Sequence, residues 1–111
     1  MLTTIKNKQL FALLNELKSG LAEIYGDRLF SVILFGSHAR GEATSESDID
    51  VMVVLTDFVN AVEERARMSG LFWHFLREYD ELVSIIPISK SRFLVGEISF
   101  LRVVKREGIE L

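Results

Sequence analysis

The side chains best suited to chemistry lie in one segment, LFGSHARGEATSESDIDVMVV, residues 34–54. Asp48 and Asp50 sit at i and i+2 within an apolar run, so on a strand both carboxylates point to the same face. Asp is among the residues least suited to a strand interior. Two neighbouring anions repel, and burying them unpaired is costly. A divalent cation between them removes the conflict. Mg²⁺ suits such a pair, because it takes oxygen ligands and keeps waters or phosphate oxygens in the rest of its shell. Ile49 and Val51 alternate with the acids and point into a core. An isolated Asp-x-Asp is more often a solvated strand edge. The residues that precede this one argue against that reading.

Gly36 follows an apolar run directly. Without a Cβ, it lets the chain turn sharply and lets a ligand approach the backbone. Ser37 is placed to cap a short helical turn begun by His38, Ala39 and Arg40. Open amides and a hydroxyl at such a turn accept phosphate oxygens, and Arg40 adds charge and donors. Alone, Gly-Ser is a common strand-to-helix turn. Followed across a hairpin by Asp-x-Asp, it places a phosphate turn and a metal pair at neighbouring strand ends.

The flanking elements must hold these ends together. Residues 5–25 repeat apolar side chains every three or four positions (Ile5, Leu10, Leu13, Leu14, Leu17, Leu21, Ile24 and Tyr25), a helix that ends at Gly26-Asp27. Residues 29–35, LFSVILF, read as a buried strand, 41–47 as loop and 48–55 as a second strand. Residues 58–78, with Phe58, Val62, Ala66, Met68, Leu71, Phe72, Phe75 and Leu76, form an amphipathic helix. Residues 81–88, ELVSIIPI, form a third strand, with Pro87 near its end suiting an edge. One more helix lies near 97–106, with Gly108 as its stop. The connection between the first two strands is too short for a helical crossover, so they pair antiparallel. The long helix before the third strand permits another pairing. The expected fold is an α/β (α+β) domain, with a small mixed sheet and helices mainly on one face.

The 111 residues are expected to make a single domain, 1–111. A chain of this size is stable by about 5–10 kcal/mol. The formal net charge is −3, without the basic excess that nucleic-acid binding needs. There are no cysteines, which excludes disulfides and thiolate metal sites. The first residues carry Lys and Gln among their apolar positions, unlike a secretory signal. No apolar run approaches the roughly 20 residues that span a bilayer. A cytoplasmic location is expected. His38, at a variable position of the turn, reads as an exposed residue. Trp73 and His74 read as packing, the eight Phe as core, and the basic C-terminal third as solvated helix faces. Apolar surface left open in so small a domain would favour association, with itself or with another chain.

GSHARG followed by SDIDVMVV resembles the signature of the DNA polymerase beta-like nucleotidyltransferase superfamily, and more closely the minimal nucleotidyltransferases of prokaryotes. Their pattern is Gly-Ser-x-Ala-Arg-Gly, a short loop, then Ser-Asp-x-Asp and apolar residues. Gly36, Ser37, Ala39, Arg40, Gly41, Ser47, Asp48 and Asp50 match every fixed position. The closing FLRVVKREGIEL also resembles the tail of such proteins. The resemblance implies the nucleotidyltransferase fold of the DNA polymerase beta type, a nucleoside triphosphate such as ATP, and one or two Mg²⁺ ions. It implies Asp48 and Asp50 as catalytic metal ligands, and Gly36, Ser37, Arg40 and Ser47 as nucleotide and phosphate contacts. Minimal members are commonly paired with a small all-helical HEPN protein as antitoxin to its toxin, and can adenylylate that partner.

Larger members carry a third carboxylate on a later strand, within an apolar-Asp-apolar triplet. The matching position here is Ser84, between Val83 and Ile85. Asp80 and Glu81 could reach the site only through a slipped alignment or a bulge. The departure has two readings. Catalysis is weak or lost, leaving a nucleotide-binding or partner-binding module that neutralises or scaffolds its partner. Alternatively the two Asp suffice, with a carboxylate from the substrate protein or a neighbouring helix completing the site. Transfer to a small molecule is a weaker third reading, because no acceptor-binding domain follows.

Overall fold

A computed structural model describes residues 5–57, 59–96 and 98–111. Phe58, and Glu97 at the start of the expected last helix, lie outside the described residues. The element order is α1 (Lys8–Tyr25), β1 (Leu29–Phe35), α2 (Ser37–Arg40), β2 (Ile49–Leu55), α3 (Ala61–Tyr79), β3 (Val83–Ser89), α4 (Lys90–Val95), α5 (Ser99–Glu107) and β4 (Ile109–Glu110), with a 3-10 turn over Gly26–Arg28.

Side-chain caps move the long helices' starts inward from where periodicity alone puts them. Asn7 Oδ1 accepts the Leu10 N–H at 3.0 Å, so α1 begins at Lys8 and Ile5 packs from outside it. Asn60 Oδ1 accepts from Val62 and Glu63, so α3 begins at Ala61, with Glu63 and Glu64 in its positive first turn. Asp80 ends α3 in a left-handed conformation, φ 54°, and its N–H donates to the Phe75 carbonyl. Asp80 is thus a helix terminus rather than a strand residue.

The sheet has four strands in the order β3-β2-β1-β4. β1 and β2 form the expected antiparallel hairpin, and β2 and β3 run parallel through the α3 crossover. β4 pairs antiparallel with β1 on the other side. Two elements escape the periodicity of the sequence. α4 is a six-residue turn capped by Ser89 and ended by Gly96, and β4 has two residues. Both are shorter than a hydrophobic repeat.

The two long helices share one face, where Leu13, Leu14, Leu17, Leu21, Met68 and Phe75 bury against Val32, Leu34, Val51 and Val53. The opposite face is covered in part by α4 and α5. There Leu101 and Val104 bury against Ile33, Met52 and Val54. Alternation along β2 therefore divides its side chains between two cores. Among the described residues, no helix is long and apolar enough to cross a membrane.

Candidate active site

The end of β1 and the beginnings of β2 and β3 meet at one end of the sheet. β1 leaves its last residue, Phe35, and turns through Gly36 into α2. Gly36 has φ 75° and ψ −157°, a conformation open essentially to Gly alone. A Cβ added there would lie 2.5 Å from Asp50 Oδ2. Backbone strain and side-chain crowding thus require Gly at the same position. The Asp50 carboxylate lies directly against the turn.

Gly36, not Ser37, is the capping residue of α2. Ser37 is the first helical residue rather than the cap, which corrects the expected capping role of its hydroxyl. Ala39 and Arg40 amides both donate to the Gly36 carbonyl at 3.1 Å. The amides of Ser37 and His38, at the helix start, have no intrahelical acceptor by position. Gly41 closes α2 in the left-handed region at φ 73°.

Asp50 lies inside β2. Asp48 precedes the strand by one residue and is exposed, whereas Asp50 is half-buried. The two remain electrostatic neighbours. Burial pushes the Asp50 carboxyl above its usual range and the charge on Asp48 pushes it further, against the pull of His38 and Arg40. An anion pair held in this way attracts a cation, and its all-oxygen donors suit a hard divalent ion with remaining positions for water and phosphate oxygens. The residues present therefore fit Mg²⁺. Among the described residues, no group of three or more His, Asp or Glu forms a potential metal site.

The strand register accounts for that number. Asp50 pairs with Phe35 on β1 and with Ser84 on β3. Ser84 is the direct neighbour of Asp50 on the same sheet face, where the third carboxylate was expected. The pairing runs unbroken from Ile49–Val83 to Leu55–Ser89, so no slip or bulge substitutes Asp80 or Glu81. Glu81 instead lines a polar hollow with His38, Ala39 and the loop residues Ala43, Thr44 and Ser45.

The remaining predicted residues surround the pair. Arg40 faces two glutamates, Glu42 at 3.4 Å and Glu107 at 3.6 Å. Glu107 ends α5, so the C-terminal helix orients this guanidinium, a contact that a local motif cannot reveal. Ser47 Oγ accepts the Thr44 N–H at 2.9 Å and so closes the 44–47 turn leading into Asp48. His38 is half-buried rather than an exposed turn residue. Its Nε2 lies 3.4 Å from the Ser47 carbonyl and ties α2 to the same loop.

A second feature adjoins Asp48, on the face of the sheet that packs α3. Arg65, Met68, Ser69 and Phe72 form one stripe of α3 by their i, i+3, i+4, i+7 spacing. With Leu82, Val83, Ser84, Ile85 and Asp48 they line a groove of about 490 Å³ along β3, the edge strand.

The chain is similar to proteins of related organisation. It is 30% identical over 103 residues to a Methanocaldococcus jannaschii protein named a protein adenylyltransferase, across 93% of this chain and 99% of that one. In structure it resembles a Sulfolobus solfataricus nucleotidyltransferase with a TM-score of 0.63 at 22% identity, covering 89% of this chain and 76% of that one. It also resembles, with a TM-score of 0.56 at 19% identity, a chain of the Shewanella oneidensis complex of a tri-AMPylated HEPN toxin with its MNT antitoxin, covering 92% of this chain and 70% of that one. The family model of the nucleotidyltransferase domain matches residues 14–105, which include the Gly-Ser turn, both aspartates and Ser84. With the turn against Asp50 and a mixed sheet beneath them, this chain belongs to the nucleotidyltransferase domain family.

Proposed function

We propose that residues 1–111 act as one Mg²⁺-dependent nucleotidyltransferase domain that moves AMP from ATP to a hydroxyl of a HEPN-type partner protein, as its antitoxin. The observation that carries this reading is the close approach of Gly36 to the Asp50 carboxylate, which supports a phosphate-holding role for the turn beside a metal-holding role for the acid. The names of the similar proteins support the adenylyl group and the partner.

In this reading Asp48 and Asp50 hold the metal. Gly36 and Ser37 receive the triphosphate, Arg40 balances its charge, and Ser47 and His38 keep the loop closed. When bound, the cation would neutralise charge at the reacting phosphate and acidify the acceptor hydroxyl. The acceptor oxygen bonds to the α-phosphorus, the bond from that phosphorus to the bridging oxygen breaks, pyrophosphate leaves, and the hydroxyl proton passes to solvent.

The test is label transfer. The protein is incubated with labelled ATP, Mg²⁺ and the product of the adjacent gene. Label should appear on that product and vanish in Asp48→Asn/Asp50→Asn. The second reading, a binding module without turnover, is favoured by the absence of a third acid beside the pair among the described residues. A complex that forms equally well with the double variant, without labelling by the wild type, would establish it instead.

A further inference from the structure

Strand alternation fixes the side from which the site is reached. Val51, Val53 and Val83 bury in the core under α1 and α3. Asp50 and Ser84 alternate with them and point to the opposite face of the sheet. Phe35, the register partner of Asp50, packs on that same face with the core under α4 and α5. Helix α5 borders the site directly. The Phe100 ring stands edge-on to Phe35, with centroids 5.5 Å apart, and Glu107 faces Arg40.

The outward surface of α4 and α5 is unusually apolar for a solvated helix pair. Val95, Ile98, Phe100 and Val103 are 64, 56, 44 and 38% exposed. Val95 and Ile98 line a hollow of about 350 Å³ with buried Leu101 and exposed Arg92. Phe100 and Val103 share a stripe with Glu107 by their i, i+3, i+7 spacing, on the flank beside the site. The charge of this surface is equally uneven. The two helices carry Lys90, Arg92, Arg102, Lys105 and Arg106, with Glu107 as their one acid and Glu97 between them, in a chain of net charge −3. Among the described residues, Arg92 and Arg102 join no ion pair.

An exposed apolar surface framed by cations is complementary to an apolar segment that carries acids. It is poorly suited to a second copy of itself, because a two-fold contact sets a patch against the same patch and would bring like charges together. We propose that α4 and α5 form the docking surface for the acceptor protein, which lays an apolar segment flanked by Asp and Glu across them and so brings its hydroxyl to the Asp50 face of the sheet. The proposal rests on the reading of the site as a nucleotidyltransferase that acts on a protein. It adds where that protein binds and the chemistry by which it is recognised. The apolar side chains hold the complex, and Arg92 and Arg102 speed its formation. Docking and chemistry thus share one face of the sheet.

Binding of the adjacent gene product, followed by biolayer interferometry, tests this without turnover. Ile98→Asp places a charge in the hollow yet suits the fold, because residue 98 caps α5 and Asp is a favoured cap. It should weaken association about tenfold or more. Val103→Asp is a second variant with the same expectation, and circular dichroism establishes that each is folded. Arg102→Glu should slow association several-fold at low salt, an effect that fades at high salt. Trp73→Asp changes a comparably exposed side chain on α3 and should bind as the wild type does. Wild-type affinity in folded Ile98→Asp and Val103→Asp, or a loss in Trp73→Asp instead, would overturn the placement. A self-association that Ile98→Asp abolishes while product affinity is unchanged would also overturn it, and assign the face to a second copy. Loss of a non-hydrolysable ATP analogue from Val103→Asp, with product affinity unchanged, would overturn it in favour of the nucleotide. Failure of the underlying reading looks different. A wild type that does not bind the product removes the protein acceptor and the docking surface together. Label transfer that is indifferent to Ile98→Asp and Val103→Asp leaves the reading standing and removes the surface alone.

Discussion

Replacing Gly36 by Ala tests the geometry on which the site depends. Two separable penalties follow from the structure. The backbone at φ 75° and ψ −157° costs a non-glycine residue about 1–3 kcal/mol. The new methyl would lie 2.5 Å from Asp50 Oδ2, so the half-buried carboxylate must leave its rotamer, at about 0.5–1.5 kcal/mol. The sum, about 1.5–4.5 kcal/mol, is a large share of the roughly 5–10 kcal/mol of a domain this size. Thermal melting in metal-free buffer should fall by about 10–20 °C. A double-mutant cycle with Asp50→Ala isolates the second penalty. That change removes Oδ2 and the carboxyl carbon and leaves only Asp50 Cβ, at 3.4 Å, an ordinary contact. Gly36→Ala should therefore cost about 0.5–1.5 kcal/mol less in the Asp50→Ala background. An equal cost in both backgrounds would refute the close approach of turn and carboxylate. A Gly36→Ala variant as stable as the wild type would refute the strained turn as well.

Three further outcomes follow from other features. Asp50 holds its proton more tightly in the native state than an ordinary carboxyl group does. Its stabilising contribution is present at low pH and is lost as pH rises through the raised native value. Without metal, Asp50→Asn should therefore be more stable than the wild type at pH 7, an advantage that shrinks in urea titrations as pH falls below the raised native value and is gone below the ordinary carboxylate range. For the same reason, Mn²⁺ binding should weaken on acidification at a higher pH than an unperturbed carboxylate pair would give. At the far end of the sheet, buried Glu64 faces Arg28 at 3.4 Å and Arg67 at 3.2 Å. Removing both arginines should cost about 3–5 kcal/mol in urea unfolding, more than the sum of the single changes, because either one alone still compensates the buried charge.

Much of the site was legible because its signals are local. Asp48 and Asp50 were expected to share a face through strand alternation, but Asp48 precedes the strand, so alternation fixes the face of Asp50 alone. The Gly-Ser turn announces itself through residue types that only a tight turn requires. The hairpin follows from loop length, and the parallel pairing from the long helix between β2 and β3. Less legible were the elements without periodicity. α4 is held by the Ser89 cap and Gly96, and β4 consists of two residues anchored by Ser31 Oγ donating to Glu110 at 2.9 Å. Ser37 was placed one position early as a cap, because residue type does not distinguish the last extended residue from the first helical one. His38 was read as exposed because its partner, the Ser47 carbonyl, lies across a loop.

By itself, the sequence determined the side chains on offer: two closely spaced carboxylates, a Gly-Ser turn, and a serine where the family resemblance leads one to expect a third acid. These are properties of residue type and short spacing, which backbone geometry converts directly into shared faces and turns. Only the tertiary structure decided how they combine. It set Ser84 beside Asp50, pressed that carboxylate against Gly36, turned Glu107 toward Arg40, and joined a stripe of α3 to the edge of β3 as a groove. Each of these relations links residues distant in sequence. They exist because two cores, one on each face of the sheet, lock the strand register and the helix positions together, since slipping a central strand by one residue would move every side chain from one core to the other.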